Sequence, residues 1–364
     1  MGRDSATRAG RGRAVASVAL VLLAAGAASA DPGVYRKALR STGWVVIPNT
    51  ETVASGTCWL ADRERRLAVT CRHVVGDSRE VLVYFPSYEK ERPVVEATRY
   101  LRKSPAVVGR VVAADAARDL ALIRLASVPD GVEEMRLAEQ SSSPGDDIHS
   151  IGNSGLRGDL DEGTLWWYTR GSVRQVHRRK VHTAEGARLV WFVETQSPVN
   201  EGDSGGPVVD AQGQLVGVTD SYSEGERLVS QNVDVREVKA FLKEAASGDA
   251  KEEAAADGPT GPDPGRPKVI GGWTFKAAAA SGKAAEGDGE FRADGTFVLN
   301  RASGPLEGRY AFVNGVLWLI AEDGFAAAAP VWDGHDAFSL KVGKVEMTFA
   351  RKPAEKAAEQ VSEK

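Results

Sequence analysis

An all-β fold is what this 364-residue sequence predicts, on three observations. Between residues 43 and 233, short runs rich in β-branched residues follow one another closely, punctuated by Gly, Pro, Asp or Ser, the pattern of a β-barrel or sandwich. Val235, Val238, Phe241 and Leu242 then recur at helical spacing, so a helix over 235–246 closes this part of the chain. Beyond residue 268 a second set of alternating strands with tight-turn signals predicts a small separate antiparallel β domain.

Taken in order, residues 1–30 read as a signal peptide. Arg3, Arg8, Arg11 and Arg13 form a positive start, "AVASVALVLLAAGAA" an apolar stretch, and "ASA" a small-residue cleavage site. The mature chain is then expected to begin near Asp31 and to be exported, periplasmic or secreted. No other run approaches the roughly 20 apolar residues of a membrane span. The strands of the first part are "GWVVIP", "EVLVYF", "VVGRVVAAD", "LALIRLA", "DDIHSIG", "LVWFVET", "PVVD" and "QLVGVTD". Cys58 and Cys71 flank "WLADRERRLAVT", a hairpin with its turn near Arg63 to Arg66. Symmetric folding sets the cysteines opposite each other, and an oxidising compartment permits a disulfide between them; the alternative is two buried free thiols. Residues 247–268 lose apolar periodicity and gain Pro, Gly and charge, which reads as a flexible linker. The β domain over 269–352 carries turns at Asp294-Gly295 and Asn314-Gly315, and is expected to have no fixed interface with the first part. Residues 353–364 form a charged tail.

A formal net charge of −4 speaks against a nucleic-acid partner, which would ordinarily show a basic patch. The run "RQVHRRK" (174–180) reads as a solvated strand or loop face, and "WDGHD" (332–336) as a turn rather than a metal site. No cofactor or metal is implied.

The chemistry concentrates in "VNEGDSGGPVV" (199–209). Gly, Asp and Ser are turn formers, but glycines beside an exposed serine also let backbone N–H groups face a substrate oxygen. A nucleophilic Ser204 needs a base and a group that orients the base. Of the five histidines, His73 stands where the strand "LAVTC" breaks into a turn, and Asp119 stands immediately before the strand "LALIRL". The order His73, Asp119, Ser204 is one of the recurring triad orders.

Over residues 40–245 these segments resemble the trypsin-like serine proteases of the chymotrypsin fold, nearest to the HtrA/Deg type. "ASGTCWLADRERRLAVTCRHVV" is similar to that family's histidine segment, "RDLALIRL" to its aspartate segment and "SIGNSG" to its glycine turn. "TQSPVNEGDSGGPVVDAQGQLVGV" resembles its nucleophile segment. The resemblance implies a chymotrypsin-like double β-barrel with the site in the cleft, residues 31–246 forming the protease domain. Catalysis would run through His73, Asp119 and Ser204, with an oxyanion hole from the N–H groups of Gly202 and Ser204. It also implies a substrate pocket at Pro198, Val199 and Asn232. Polypeptides are the expected substrates, and protein quality control is the role the resemblance suggests; the alternative is a gated or inactive binding or chaperone protein on the same fold.

Three departures stand out. Asp203 precedes the serine, yet no "IVGG"-like start offers it an N-terminal amine. Pro198 occupies the pocket-floor position where a trypsin has a carboxylate, so a small or aliphatic P1 side chain is expected rather than Arg or Lys. No PDZ-like segment follows; the last domain is weakly similar to lipocalin-like β modules, with an unknown ligand or protein as its expected partner.

Overall fold

A computed structural model describes residues 32–48, 53–155, 163–184, 186–222, 228–255, 269–279, 284–322 and 324–352. The signal-peptide segment, most of the linker and the charged tail lie outside the described residues. Among the described residues no helix is long and apolar enough to cross a membrane.

Helix α1 (Pro32–Leu39) leads into β1 (Thr42–Pro48), β2 (Val53–Asp62), β3 (Leu67–Cys71), the one-turn α2 (Arg72–Val75) and β4 (Glu80–Tyr84). Two short strands, β5 (Tyr88–Glu89) and β6 (Arg92–Pro93), precede α3 (Ala97–Lys103), β7 (Val107–Asp115) and β8 (Leu120–Leu125). Then come β9 (Asp147–Gly152), β10 (Trp167–Thr183), β11 (Gly186–Gln196), β12 (Pro207–Val209), β13 (Leu215–Tyr222), β14 (Val229–Asp234) and α4 (Val235–Ala255). The strands close into two barrels, in the orders β1-β2-β3-β8-β7-β4 and β10-β11-β14-β13-β12-β9. Closure leaves no free sheet edge, and apolar runs such as "LAVTC" in β3 are buried throughout because both faces of the strand are covered.

The expected strands are present at nearly the expected places. The basic run lies inside β10, which pairs with β11 in a long hairpin running out to Thr183 and Gly186. There the Arg178 guanidinium stacks over Trp191 and that of Arg179 over Phe192, so these cations cover aromatic faces rather than forming a free basic patch.

The disulfide expectation is corrected: Cys58 and Cys71 are free and buried. An irregularity between Leu60 and Asp62 breaks the symmetric hairpin, so Trp59 pairs with Val69 and Cys58 falls level with Thr70, one residue short of Cys71. A one-residue offset turns two side chains to opposite faces of a strand pair. Cys58 packs against Gly43, whereas the Cys71 thiol donates to the Thr219 carbonyl of the second barrel at 3.2 Å. Burial pushes the Cys58 thiol up to about 12, and burial with Asp119 and Asp220 nearby raises Cys71 well above its ordinary value.

The closing helix buries Val235, Val238 and Phe241 as its apolar spacing implies, but continues past residue 246 to Ala255. "AKEEAA" has no apolar stripe, yet Ala, Lys and Glu are strong helix formers and extend a helix already nucleated. The expected linker therefore starts as helix.

Residues 269–352 build nine antiparallel strands: β15 (Gly271–Ala279), β16 (Ala284–Phe291), β17 (Thr296–Arg301), β18 (Gly304–Val313), β19 (Val316–Ala321), β20 (Gly324–Ala328), β21 (Val331–Asp333), β22 (Ala337–Val342) and β23 (Val345–Arg351). Their order is β20-β19-β18-β17-β16-β15-β23-β22-β21, around a core of their own that includes Trp273, Phe291, Phe297, Phe338 and Phe349. The expectation of no fixed interface does not hold. Val313, Trp318 and Ile320 join the core of the first barrel, because alternation along β18 and β19 leaves a second apolar face to cover. In the β18–β19 turn, Asn314 accepts from the N–H groups of Arg79 and Glu80 at 3.1 and 3.0 Å and donates to the Glu80 carbonyl at 2.7 Å.

Candidate active site

His73 lies in α2, directly after β3, where the five buried residues of the strand hold the start of the helix in place. Asp119 ends the β7–β8 turn with φ +52°, a left-handed conformation that Asp tolerates better than most side chains. Two contacts bring them together. The His73 backbone N–H donates to Asp119 Oδ1 at 2.9 Å, and His73 Nδ1 is hydrogen-bonded to Asp119 Oδ2. A backbone bond from Arg72 N–H to the Asp119 carbonyl at 2.9 Å fixes the turn against the helix.

The adjacent Arg118 is almost wholly buried and carries the turn. Its guanidinium meets Asp115 at 2.6 Å, Glu237 at 3.0 Å and Glu244 at 2.7 Å. Glu237 also accepts from the Trp191 N–H at 3.1 Å, so one buried cation ties the Asp119 turn to α4 and to the second barrel.

Ser204 sits in the loop between β11 and β12. Thr57 of β2 clamps that loop across the barrels: its N–H donates to the Ser204 carbonyl at 2.9 Å and its hydroxyl to the Gly202 carbonyl at 2.8 Å. Gly202 has φ +96°, and a Cβ there would lie 2.5 Å from the Asn153 carbonyl oxygen. Gly205 has φ +84°, and a Cβ would lie 2.2 Å from the Thr57 carbonyl. Both positions therefore demand glycine. Among the described residues the N–H groups of Gly202 and Ser204 have no hydrogen-bond acceptor. The hydroxyl itself donates to the Asp220 carbonyl at 3.2 Å, and among the described residues no hydrogen bond joins it to His73.

Asp220, on β13, was not singled out by the sequence. Its side chain is buried, with a carboxyl oxygen within 4.8 Å of the Asp119 carboxyl. Burial, then the hydrogen bond and charge of Asp119, push its carboxyl up to about 6. Burial acts the same way on Asp119, but the hydrogen bond and charge of His73, with the hydrogen bond from Asp220, outweigh it and hold Asp119 below its ordinary value. The Asp119 hydrogen bond raises His73 against partial desolvation, and the charges of Asp119 and Asp220 add to it. Donor atoms of Cys71, His73, Asp119 and Asp220 all lie within 4.8 Å of one another. Each already has a partner, Cys71 on Thr219 and the others among themselves, so the cluster reads as a hydrogen-bonded network rather than a ligand set.

Asp203 finds its partner in its own loop. Oδ2 accepts from the Asn200 N–H at 2.9 Å, Oδ1 is buried without a hydrogen-bond partner among the described residues, and burial raises the carboxyl above its ordinary value. Pro198 is exposed and Val199 half-buried. The Asn232 amide nitrogen donates inside the second barrel to the Val193 carbonyl at 3.0 Å and the Thr195 hydroxyl at 3.1 Å. Residues 223–227, which follow β13, lie outside the described residues.

Comparison with known proteins adds the family. Residues 54–218 match the trypsin-like peptidase domain. This part of the chain is a trypsin-like serine peptidase domain. The peptidase match takes in His73, Asp119 and Ser204 with the strands that carry them. The chain is also 24% identical over 200 residues to "Serine protease HtrA-like" of Staphylococcus aureus, in strains bovine RF122 / ET3-1 and MRSA252. Those matches cover 53% of this chain and 23% of each relative, so the chain spans about a quarter of the length of the curated relatives it matches. Among solved structures, the active form of the Rv3671c protease from M. tuberculosis aligns with 21% identity and a TM-score of 0.47, over 58% of this chain and 86% of that one. The inactive form aligns with 20% identity and a TM-score of 0.45, over 59% and 96%.

Proposed function

We propose that the chain is an exported serine endopeptidase that hydrolyses peptide bonds through an acyl-enzyme. Ser204 Oγ attacks the scissile carbonyl and His73 Nε2 takes its proton. Asp119, bonded to Nδ1, fixes the imidazole tautomer and stabilises the imidazolium. The N–H groups of Gly202 and Ser204 receive the oxyanion; one such donor is worth roughly 3 kcal/mol of transition-state stabilisation. His73 then protonates the leaving amine, and water, activated by the same imidazole, releases the acyl group. The observation that carries this reading is the doubly hydrogen-bonded His73–Asp119 pair facing a serine loop that Thr57 clamps to the same barrel. Pro198 brings no carboxylate to the pocket, which supports a small or aliphatic P1 side chain. Protein quality control is the role that resemblance to HtrA-like proteases supports, and the signal-peptide reading of residues 1–30 supports export. Residues 32–255 form the protease part and 269–352 a β module that binds a ligand or protein.

One observation favours a second reading, a gated or inactive binding protein. Ser204 directs its hydroxyl to Asp220 rather than to His73, and must turn about χ1 before it can be deprotonated. Labelling with an organophosphonate probe separates the two. An active peptidase is labelled at Ser204 and cleaves a peptide library, and Ser204→Ala loses both while keeping its fold, with turnover down at least about a thousandfold. A wild-type chain that is neither labelled nor active, though folded, overturns the peptidase reading.

A further inference from the structure

The buried Asp220 holds a carboxyl oxygen within 4.8 Å of the Asp119 carboxyl, and two carboxyl groups brought together share a hydrogen bond only when one of them holds a proton. The partners decide which one. Asp119 already accepts from the His73 backbone N–H and from the His73 ring, both of which favour the carboxylate. Asp220 is buried against that anion, and its own hydroxyl donor, Ser221, reaches Oδ2 at 3.1 Å. The proton therefore belongs to Asp220.

We propose that Asp220 is a positioning residue for the Asp119–His73 pair: as a carboxylic acid it donates to Asp119 and orients it, and on losing its proton it places a second negative charge beside the imidazole. The proposal rests on the peptidase reading for its consequence in catalysis, but not for its consequence for His73. The groups facing Asp220 come from four elements. They are Asp119 from the β7–β8 turn, His73 from α2, the protonated Cys71 thiol from β3, and Arg179 from β10, whose guanidinium stands 3.6 Å from Oδ2. Arg179, whose guanidinium also covers the Phe192 ring, is the arginine among the described residues that favours the ionised form.

The sign follows from these neighbours. As pH rises through about 6, Asp220 loses its proton, and the added anion favours the imidazolium, so His73 holds its proton to higher pH. The two groups titrate as a coupled pair. Peptidase activity needs neutral His73, so ionised Asp220 moves the acid limb of the rate profile upward. Asn at this position keeps a donor toward Asp119 but cannot ionise.

The test is an NMR titration of the His73 ring in the intact chain, which needs no turnover, followed by the pH dependence of kcat/KM. In Asp220→Asn the His73 midpoint is expected about one pH unit lower than in wild type, with the acid limb moved equally and KM unchanged. Wild-type chain labelled with 13C at the aspartate carboxyls provides a second measurement that needs no variant: Asp220 should titrate near 6. An unchanged His73 midpoint in Asp220→Asn, or an Asp220 carboxyl that titrates at its ordinary value of about 3.9, overturns the proposal. A shifted His73 midpoint in a chain without activity upholds the proposal and removes the peptidase reading instead.

Discussion

Replacing Arg118 by Met tests whether the buried cation holds the Asp119 turn. The substitution keeps an unbranched side chain of similar length and removes a guanidinium that meets three carboxylates. Their exposures set the magnitude. Glu244 is 58% exposed, so water replaces most of what its pairing contributes. Asp115 and Glu237 are 15% and 11% exposed, and both would be left as largely desolvated anions. Breaking a buried pair by removing one partner costs about 3–5 kcal/mol, and the solvated Glu244 places this case at the low end, about 3 kcal/mol. Urea unfolding of the full chain reads the loss. With a slope of about 3 kcal/mol per molar, the midpoint should fall by about 1 M. The pH dependence has a definite sign. The Arg118 hydrogen bond holds Glu244 below its ordinary value, so the stability it contributes is present above the unfolded value and lost as pH falls through the folded one. The gap between wild type and variant should be widest above about pH 5 and should narrow below about pH 4. Replacing Glu237 by Leu in the same chain should restore part of the loss, since one buried anion is then gone. A single variant with a wild-type midpoint would refute the reasoning.

Two further outcomes follow from the packing. Cys58 and Cys71 should both be alkylated in unfolded, unreduced protein and resist alkylation in the native chain, as checked by mass analysis; a cross-linked pair would contradict the register of β2 and β3. Asn314→Ala removes three hydrogen bonds between the β18–β19 turn and Arg79–Glu80, which at an exposed site is worth about 1 kcal/mol of docking. Amide exchange at Arg79 and Glu80 should quicken accordingly, with the core of the β module unaffected.

What the sequence determined by itself was local. Strand positions follow from β-branched runs between turn residues, so "VVGRVVAAD" becomes β7 with the expected bounds and Val235, Val238 and Phe241 face inward. It also singled out His73, Asp119 and Ser204, because each stands at a strand end where the chain turns. The tertiary structure decided whatever depends on register and on pairing between distant segments. One irregularity in the β2–β3 pairing separates two cysteines that symmetric folding would join. Asn232 reads as a pocket residue by position, but its amide satisfies a buried carbonyl in the second barrel. Helix α4 extends through residues with no apolar stripe, because propensity and the nucleated turns before them suffice. Asp220 carried no local signal, since an aspartate near a strand end reads as a turn former. Only barrel closure sets it beside Asp119, where burial and a neighbouring anion change its chemistry.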